Sequence, residues 1–422
     1  MSTESRTRGG GLPHAVFLQR VAEEPATSPD VRLGQGAFLA LRFVDLLAPD
    51  REPPTPDVFR YQWAATERYC AELAGEGTEA SHLSCIVRAA GEAHRSGDFT
   101  LLGPALFAYA LYLEQESRFE EAEDALQTMI DVGHDRFAVT DRISAWLRLG
   151  RVRRLQTDFD GSDGAYVEAG NIATKIGDLR SLLLSRVGQC NVLHFRGNLA
   201  GAEAAWRDVL EDTISAGFRT VQAQAEHGLG NILVRRGQAH EGAPHLWRSY
   251  ELYEDETSKA RSMGDLGLAL LSLGEVHAAE RALHHVLRSR AAPDLVANAM
   301  IELMHCASFR RDHVGFARWR ERCEQRLPDM PPNIRTDFYL KQGIGQARFG
   351  RYRRATELMK QALEIAGAAG LHEFEFRIER ILAGLEGCEQ AREPQLATEP
   401  VIHTAELRVV SDSLALLSRG SG

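Results

Sequence analysis

The feature that most constrains this fold is a short motif that recurs every 37 to 40 residues. In each repeat an apolar residue follows a turn, and a small residue lies three positions later. In every repeat except the sixth, a large apolar or aromatic residue lies seven positions later. A fixed period in this range predicts a repeat array, in which each unit buries its apolar face against its neighbours. In repeats 1 to 7 the apolar residue is Phe119, Phe159, Leu199, Ala239, Val276, Val314 and Tyr352.

The composition of the repeats predicts a pair of helices in each. Ala and Leu dominate the patterned segments, which favours helix over strand. In repeat 3 we expect helices over Leu183–Phe195 and Leu199–Ala216, joined by a turn around Gly197. The position of Gly197 suits a left-handed backbone, which glycine adopts most easily. The other repeats have Ser117, Thr157, Gly237, Gly274, Asp312 and Gly350 there.

Outside the repeats the sequence predicts helical caps. Three helices are expected at Leu33–Leu47, Asp57–Leu73 and Ser81–His94, with Asp57 as an N-cap. The predicted segments are a flexible N-terminus over 1–30, an N-terminal helical cap or degenerate repeat over 31–98, the repeat array over 99–371, a C-terminal capping helix over 372–390, and a linker and tail over 391–422.

Motifs that recur in register resemble the tetratricopeptide repeat family. They are Trp146, Leu149 and Gly150 in repeat 2, Leu229-Gly230-Asn231 in repeat 4, Leu266-Gly267 in repeat 5 and Gly343 in repeat 7. The period exceeds the family's usual value of about 34 residues. In this it resembles the repeats of kinesin light chains and of sensor domains in bacterial signalling regulators. The resemblance implies an all-α, right-handed α-α superhelical solenoid of about seven or eight helix-turn-helix repeats with helical caps. Repeat 6 matches poorly, with His305 where a glycine is usual, and we interpret it as a joint.

Composition narrows the functional class. The net charge of −10 argues against a nucleic-acid surface along the whole chain, and no apolar stretch is long enough to cross a membrane. The six cysteines form no Cys-x-x-Cys pair and no cluster with histidine, which is typical of reduced thiols in a cytoplasm. No nucleophile-elbow, P-loop or His-Glu-x-x-His motif occurs. We therefore expect a cytoplasmic protein without catalysis, cofactor or metal.

Helical periodicity aligns one face of the first helix in each repeat. Residues 13, 10, 9, 6, 3 and 2 positions before the turn residue share this face, which we call the aligned face. In the resembled family this face lines a concave groove, where Asn holds a peptide backbone or terminal carboxylate beside Lys or Arg. Asp265 is the only acid at these positions in repeats 2 to 5. The candidate groove residues are Arg148, Arg151, Arg154, Asn191, His194, His227, Asn231, Arg235 and Arg261.

Two interpretations of the aligned face stay open at this point. Arginine forms charge-assisted, bidentate bonds to carboxylates, so the face fits an acidic or C-terminal peptide segment. The same arginines also fit a solvated surface with weak ion pairs between repeats. We expect a non-catalytic scaffold that binds a protein or peptide. The alternative is a ligand- or peptide-sensing module of a bacterial signalling or transcription system, and an enzyme with an unfamiliar site is a third possibility.

Overall fold

The computed structural model describes residues 12–20, 28–49, 54–390 and 404–419. These residues form 19 α-helices and three short 3-10 helices, and no strand occurs among them. The predicted all-α array of helix-turn-helix repeats is confirmed. The chain divides into two compact units, residues 1–198 and 199–422, and each is described by itself. No helix of the described residues is long and apolar enough to span a bilayer.

The part of the first unit that the structure describes contains eight α-helices, and each contacts the next along the chain. A 3-10 helix at Ala15–Leu18 precedes them, and another at Asp45–Leu47 extends the first helix. The helices are α1 (Pro29–Val44), α2 (Pro56–Glu72), α3 (Thr78–Ser96), α4 (Leu102–Gln115), α5 (Phe119–Gly133), α6 (Val139–Leu155), α7 (Phe159–Ile176) and α8 (Leu179–Phe195).

Two details of this N-terminal region differ from the sequence prediction. The N-cap of α2 is Thr55 and not Asp57, because Pro56 begins the helix and Asp57 lies in its first turn. Within the range predicted to be flexible, Phe17 is fully buried. Arg20 bonds the carboxylates of Glu79 and Glu121, so residues 12–20 are packed onto the unit. Residues 1–11 and 21–27 of that range lie outside the described residues.

The described residues of the second unit form eleven α-helices. A 3-10 helix at Leu327–Asp329 precedes the eighth of them. They are α9 (Leu199–Ala216), α10 (Arg219–Arg235), α11 (Ala239–Leu252), α12 (Glu256–Ser272), α13 (Val276–Arg288), α14 (Pro293–Phe309), α15 (His313–Glu324), α16 (Pro332–Arg348), α17 (Tyr352–Ala368), α18 (His372–Gln390) and α19 (Ala405–Arg419).

The predicted register is confirmed in six of the seven repeats and wrong by one residue in repeat 6. The second helix begins at the predicted apolar residue everywhere except there, where it begins at His313 and not Val314. The left-handed residue of that turn is Arg311, with φ of 55°, and not Asp312. Asp312 instead caps α15, because its carboxylate accepts the backbone N–H of Gly315 at 2.9 Å. The position of the glycine that recurs in repeats 2, 4, 5 and 7, seven residues before the turn residue, therefore falls on Met304, and His305 moves onto the aligned face.

Close contact between the two helices of a repeat depends on the glycines of the first helix. A Cβ added to Gly150 would lie 2.8 Å from the ring of Tyr166 in the first unit. In the second unit a Cβ on Gly230 would lie 2.8 Å from Leu246, and one on Gly343 would lie 2.9 Å from Met359. These distances are too short for real Cβ contacts, so only glycine lets the helices approach this closely.

The tail helix α19 packs on the second helices of repeats 4 and 5, α11 and α13. Leu407, Val410 and Leu414 lie on one stripe of α19 and are buried in the core of the second unit. Arg281 adds a polar contact by donating to the hydroxyl of Ser411 at 3.1 Å. The aligned faces of the first helices are thus left uncovered by the tail helix. Residues 391–403 of the predicted linker lie outside the described residues.

Candidate ligand-binding site

In the first unit two arginines of the aligned face, Arg148 and Arg151, form ion pairs with the same glutamate. Nη1 of Arg148 donates to Glu114 at 3.0 Å, and Nε of Arg151 donates to the other carboxylate oxygen at 2.6 Å. Glu114 is nearly buried and comes from α4, where it lies three positions before the turn residue Ser117. The acid that neutralises these cations therefore belongs to the aligned face of the preceding repeat.

The third arginine of this face is part of the packing. The guanidinium of Arg154 stacks over the ring of Phe195 at 4.6 Å from its centroid. Burial lowers the pKa of Arg154, and the hydroxyl of Tyr166 acts in the opposite direction. A cation held between two aromatic side chains in this way is already desolvated.

Asn191 and His194 complete the predicted residues of the first unit. The side-chain amide of Asn191 donates to the carbonyl of Val187 in its own helix at 3.0 Å. The ring of His194 stacks with Phe195 at 5.0 Å. Each of the five candidate residues in the first unit therefore already has a partner within that unit.

In the second unit two candidate residues of repeat 4, His227 and Asn231, converge on Asp265. Oδ2 of Asp265 lies 2.7 Å from Nε2 of His227 and accepts from the amide of Asn231 at 3.0 Å. Nδ1 of His227 lies 3.2 Å from the hydroxyl of Tyr253, whose pKa is raised by burial. The three side chains of the aligned face on α10 and α12 thus form one hydrogen-bonded group.

The remaining candidates, Arg235 and Arg261, have different surroundings. Arg235 of α10 forms an ion pair at 3.1 Å with Glu373, which lies in the first turn of α18. Arg261 is exposed and forms no hydrogen bond or ion pair with a described residue. Its side chain lines a cavity of about 460 Å³.

This cavity is bounded by α12, α13, α14, α16 and α18 of the second unit. Its walls are mainly apolar, which is usual for ligand sites. The apolar part includes Leu268, Leu271, Leu283, Val286, Phe309 and Phe374. The charged part consists of Arg261, Asp265, Glu302, Asp337, Lys341 and Arg377.

A buried group of three charges forms one side of the cavity. The ammonium of Lys341 donates to Asp337 at 2.6 Å and to Oε1 of Glu302. Burial by itself disfavours the charged lysine, but the two carboxylates outweigh it and raise the pKa of Lys341. Burial raises the pKa of Glu302, which is 5% exposed. Its second carboxylate oxygen, Oε2, is buried without a hydrogen-bond partner among the described residues.

Behind this group, His305 and Arg348 support the aromatic wall. Burial and the positive charge of Arg348 lower the pKa of His305 well below its usual value, so the imidazole is neutral at pH 7. Arg348 donates to the hydroxyl of Ser308 at 2.8 Å, and its guanidinium lies 3.5 Å from the centroid of Phe309. Burial lowers the pKa of Arg348 to about 10.

The sequence prediction missed the residues of repeats 6 and 7 that line this cavity. Counting back from Arg311 places Asn298, Glu302, His305 and Phe309 on the aligned face, and counting back from Gly350 places Asp337 and Lys341 there. The signal that finds them is the repeat register itself, carried past repeat 5 with the correct turn residue. The contributions of Phe374 and Arg377 come from the capping helix and have no such signal.

Other charged clusters do not suggest a metal centre. No group of three His, Cys, Asp or Glu side chains within the described ranges is arranged to hold an ion. Adjacent histidines on α13 point to separate neighbours, because His284 lies against Trp319 and His285 against Tyr250.

This chain shows distant structural similarity to several solved proteins. No protein-family model matches the chain, and no curated protein matches it. A tetratricopeptide repeat protein from Parabacteroides merdae is 11% identical with a TM-score of 0.42, covering 66% of this chain and 98% of that chain. The apo form of the quorum sensor NprR from B. thuringiensis is 11% identical with a TM-score of 0.49, covering 83% and 98%.

A third similar structure is a Rap protein complexed with competence and sporulation factor. It is 14% identical with a TM-score of 0.44, covering 87% of this chain and 100% of that chain. Since none of these three identities exceeds 14% and none of the TM-scores exceeds 0.49, we base function on this chain's own residues.

Proposed function

We propose that this protein is a non-catalytic, cytoplasmic peptide-binding protein whose ligand site is the cavity of the second unit. The observation that carries the proposal is the combination of an apolar cavity with two exposed arginines at its lining, Arg261 and Arg377, that form no ion pair with a described residue. A guanidinium in this state can bind a carboxylate bidentately without first breaking an internal bond. The ligand therefore carries a carboxylate, from an acidic side chain or a chain terminus.

The aligned face supplies further groups for an extended peptide. Asn231, Arg261, Asn298 and Asp337 lie on successive first helices, α10, α12, α14 and α16. Arg261, Asn298 and Asp337 lie at the same position of their repeats, thirteen residues before the turn residue, so an extended ligand that crosses these helices meets one polar side chain in each repeat. Rigid helices hold these groups in place, so binding requires little ordering of the protein.

Three buried thiols are unsuited to covalent chemistry. Cys70, Cys306 and Cys323 are buried and free. Burial raises the pKa of Cys70 to about 11 and the pKa values of Cys306 and Cys323 to about 12. Since the thiolate is the nucleophile, these cysteines are unreactive at neutral pH.

The test is affinity selection from a random peptide library with the full-length protein, followed by sequencing of the captured peptides. Arg261→Glu with Arg377→Glu is expected to abolish capture, because both arginines then repel the ligand carboxylate. Arg353→Glu with Arg354→Glu is the matched control, since these exposed arginines lie on α17 and do not line the cavity. Failure of the wild-type protein to enrich any peptide, or unchanged capture by the Arg261 and Arg377 variant, would overturn the proposal.

A second candidate, a peptide sensor, is favoured by one contact. The ion pair between Arg235 and Glu373 joins α10 to α18, and α18 also lines the cavity through Phe374 and Arg377. A ligand in the cavity therefore touches the helix that this ion pair connects to α10. Spin labels on α10 and α18 would report a change in their separation when a selected peptide binds. An unchanged separation would exclude the sensor mechanism while leaving peptide binding intact.

A further inference from the structure

One carboxylate oxygen of a residue that lines the cavity lacks a partner. Glu302 lies on α14 and is almost completely buried, and its Oε1 accepts from Lys341. Its Oε2 is buried and has no hydrogen-bond partner among the described residues, and Glu302 is one of the residues that line the cavity. Leaving a buried acceptor without a hydrogen bond costs free energy. A ligand that donates a hydrogen bond to this oxygen therefore removes that cost and binds more tightly.

The charges around this oxygen favour a cationic donor. Lys341 is shared by two carboxylates, those of Glu302 and Asp337, so this buried group has one positive charge too few. Asp265, on another wall, is already bonded to His227 and Asn231. The other cations near the cavity form no ion pair with Glu302 among the described residues, and the charge of Arg377 acts on it only from beyond ion-pair distance.

Arg348 bonds Ser308 and lies against His305 and Phe309. Arg261 and Arg377 are exposed and form no ion pair within the described part of the chain. The cavity therefore presents an acceptor at its buried side and arginines on its exposed side. A ligand that carries both a cation and a carboxylate matches this polarity.

The walls between the two sides fit an apolar stem. Leu268, Leu271, Leu295, Phe309 and Phe374 line the cavity, and a chain of methylene groups can pack against them. Only one oxygen of Glu302 lacks a partner, whereas a guanidinium presents a planar fork that suits two acceptors. A compact ammonium is the better complement.

We infer that the cavity binds a primary ammonium group on an apolar stem, as in a lysine side chain, through a hydrogen bond to Oε2 of Glu302. This inference rests on the proposed function and specifies which residue of the peptide enters the cavity. The carboxylate of the same peptide contacts Arg261 and Arg377 on the exposed side.

The ligand-side test uses the wild-type protein and the peptides selected from the random library. Lysine is expected to be enriched, and replacing it with norleucine or acetyllysine is expected to weaken binding by about tenfold or more, as for the loss of a charge-assisted bond. Arginine is expected to bind between these limits. Norleucine peptides that bind as tightly as lysine peptides would refute the inference while the proposed function stands.

Acetylating the amino terminus of the peptide separates two sources of the ammonium. Binding that survives this change but is lost on acetylating the lysine assigns the site to the side chain. Binding that is lost on acetylating the amino terminus but survives acetylation of the lysine also supports an ammonium site. In that case the amino terminus of the peptide fills it. Binding that survives both acetylations together contradicts it. If the library yields no captured peptide, the proposed function itself has failed.

The protein-side test is Glu302→Gln, which keeps the shape of the side chain and removes its charge. This variant is expected to bind the lysine peptide about tenfold more weakly than the wild type does. Its affinity for the norleucine peptide is expected to be nearly unchanged. Asp337→Asn is the matched control, because it removes the other carboxylate of Lys341 and is expected to change both peptides by the same factor. Equal effects of Glu302→Gln on the two peptides would assign Glu302 a structural role only.

Discussion

The aligned faces of the two units follow the same repeat register, but their arginines differ in whether they have partners within the protein. In the first unit Arg148 and Arg151 share Glu114, and Arg154 stacks on Phe195. In the second unit Arg261 lines an open cavity and forms no ion pair with a described residue. The register thus determines which side chains share a face, whereas their neighbours determine whether those side chains are available to a ligand.

The largest expected effect comes from breaking the buried charges of the second unit. Lys341→Met leaves two buried carboxylates, Glu302 and Asp337, without their cation, and should destabilise the unit by about 3 to 5 kcal/mol. In the first unit, Arg151→Met removes one of two arginines from the partly exposed Glu114 pair and should cost at most about 1 kcal/mol. Chemical denaturation of both variants measures the difference. Equal losses would show that the two faces are energetically alike.

The two units should also respond to pH in opposite directions, beginning with the first. His14 is buried between Asp45 and Asp124, and its pKa is raised from 6.5 to about 9 because these carboxylates outweigh the effect of burial. The protonated ring therefore stabilises the folded unit fully below pH 6.5, and this contribution is lost as the pH rises to about 9. The shift corresponds to about 3 kcal/mol, measurable by denaturation of wild type and His14→Gln across this range.

In the second unit, His305 has the opposite sign. Its pKa is lowered by burial and by the charges of Arg348, Lys341 and Arg377, so its neutral form is favoured in the folded state. This contribution is present above pH 6.5 and is lost as the pH falls below that value. Hydrogen exchange resolved along the chain would follow each unit separately. Parallel loss of protection in both units at acidic and alkaline pH would contradict the comparison.

The sequence predicted the helix pairs well because the period is carried by buried side chains. Leu199–Ala216 and His372–Gln390 have the predicted bounds, and six second helices begin where the motif places them. The predicted register of repeat 6 was wrong by one residue because Asp312 suits both a turn and an N-cap. Only the hydrogen bond from Gly315 to its carboxylate distinguishes the two. Because of this error, the prediction did not place His305 on the aligned face.

The availability of the site residues could not be predicted in the same way. The repeat register places Glu114 on the aligned face of repeat 1. Its ion pairs with both Arg148 and Arg151, however, depend on the distances between side chains of neighbouring helices. The cavity depends on the capping helix, which supplies Arg377 outside the repeat pattern. Pairing and cavity formation are properties of packed neighbours, which a periodic pattern in one chain segment does not contain.

The smallest expected effect is the sharpest test of this contrast. Arg151→Glu with Asn191→Ala alters two candidate residues of the first unit that already have partners, Glu114 and the carbonyl of Val187. Because neither side chain is available to a ligand, peptide capture should stay within about twofold of wild type. Circular dichroism would check that the variant keeps its helix content. Loss of capture with helix content intact would place the ligand on the first unit and make Glu114 an internal competitor that the peptide displaces.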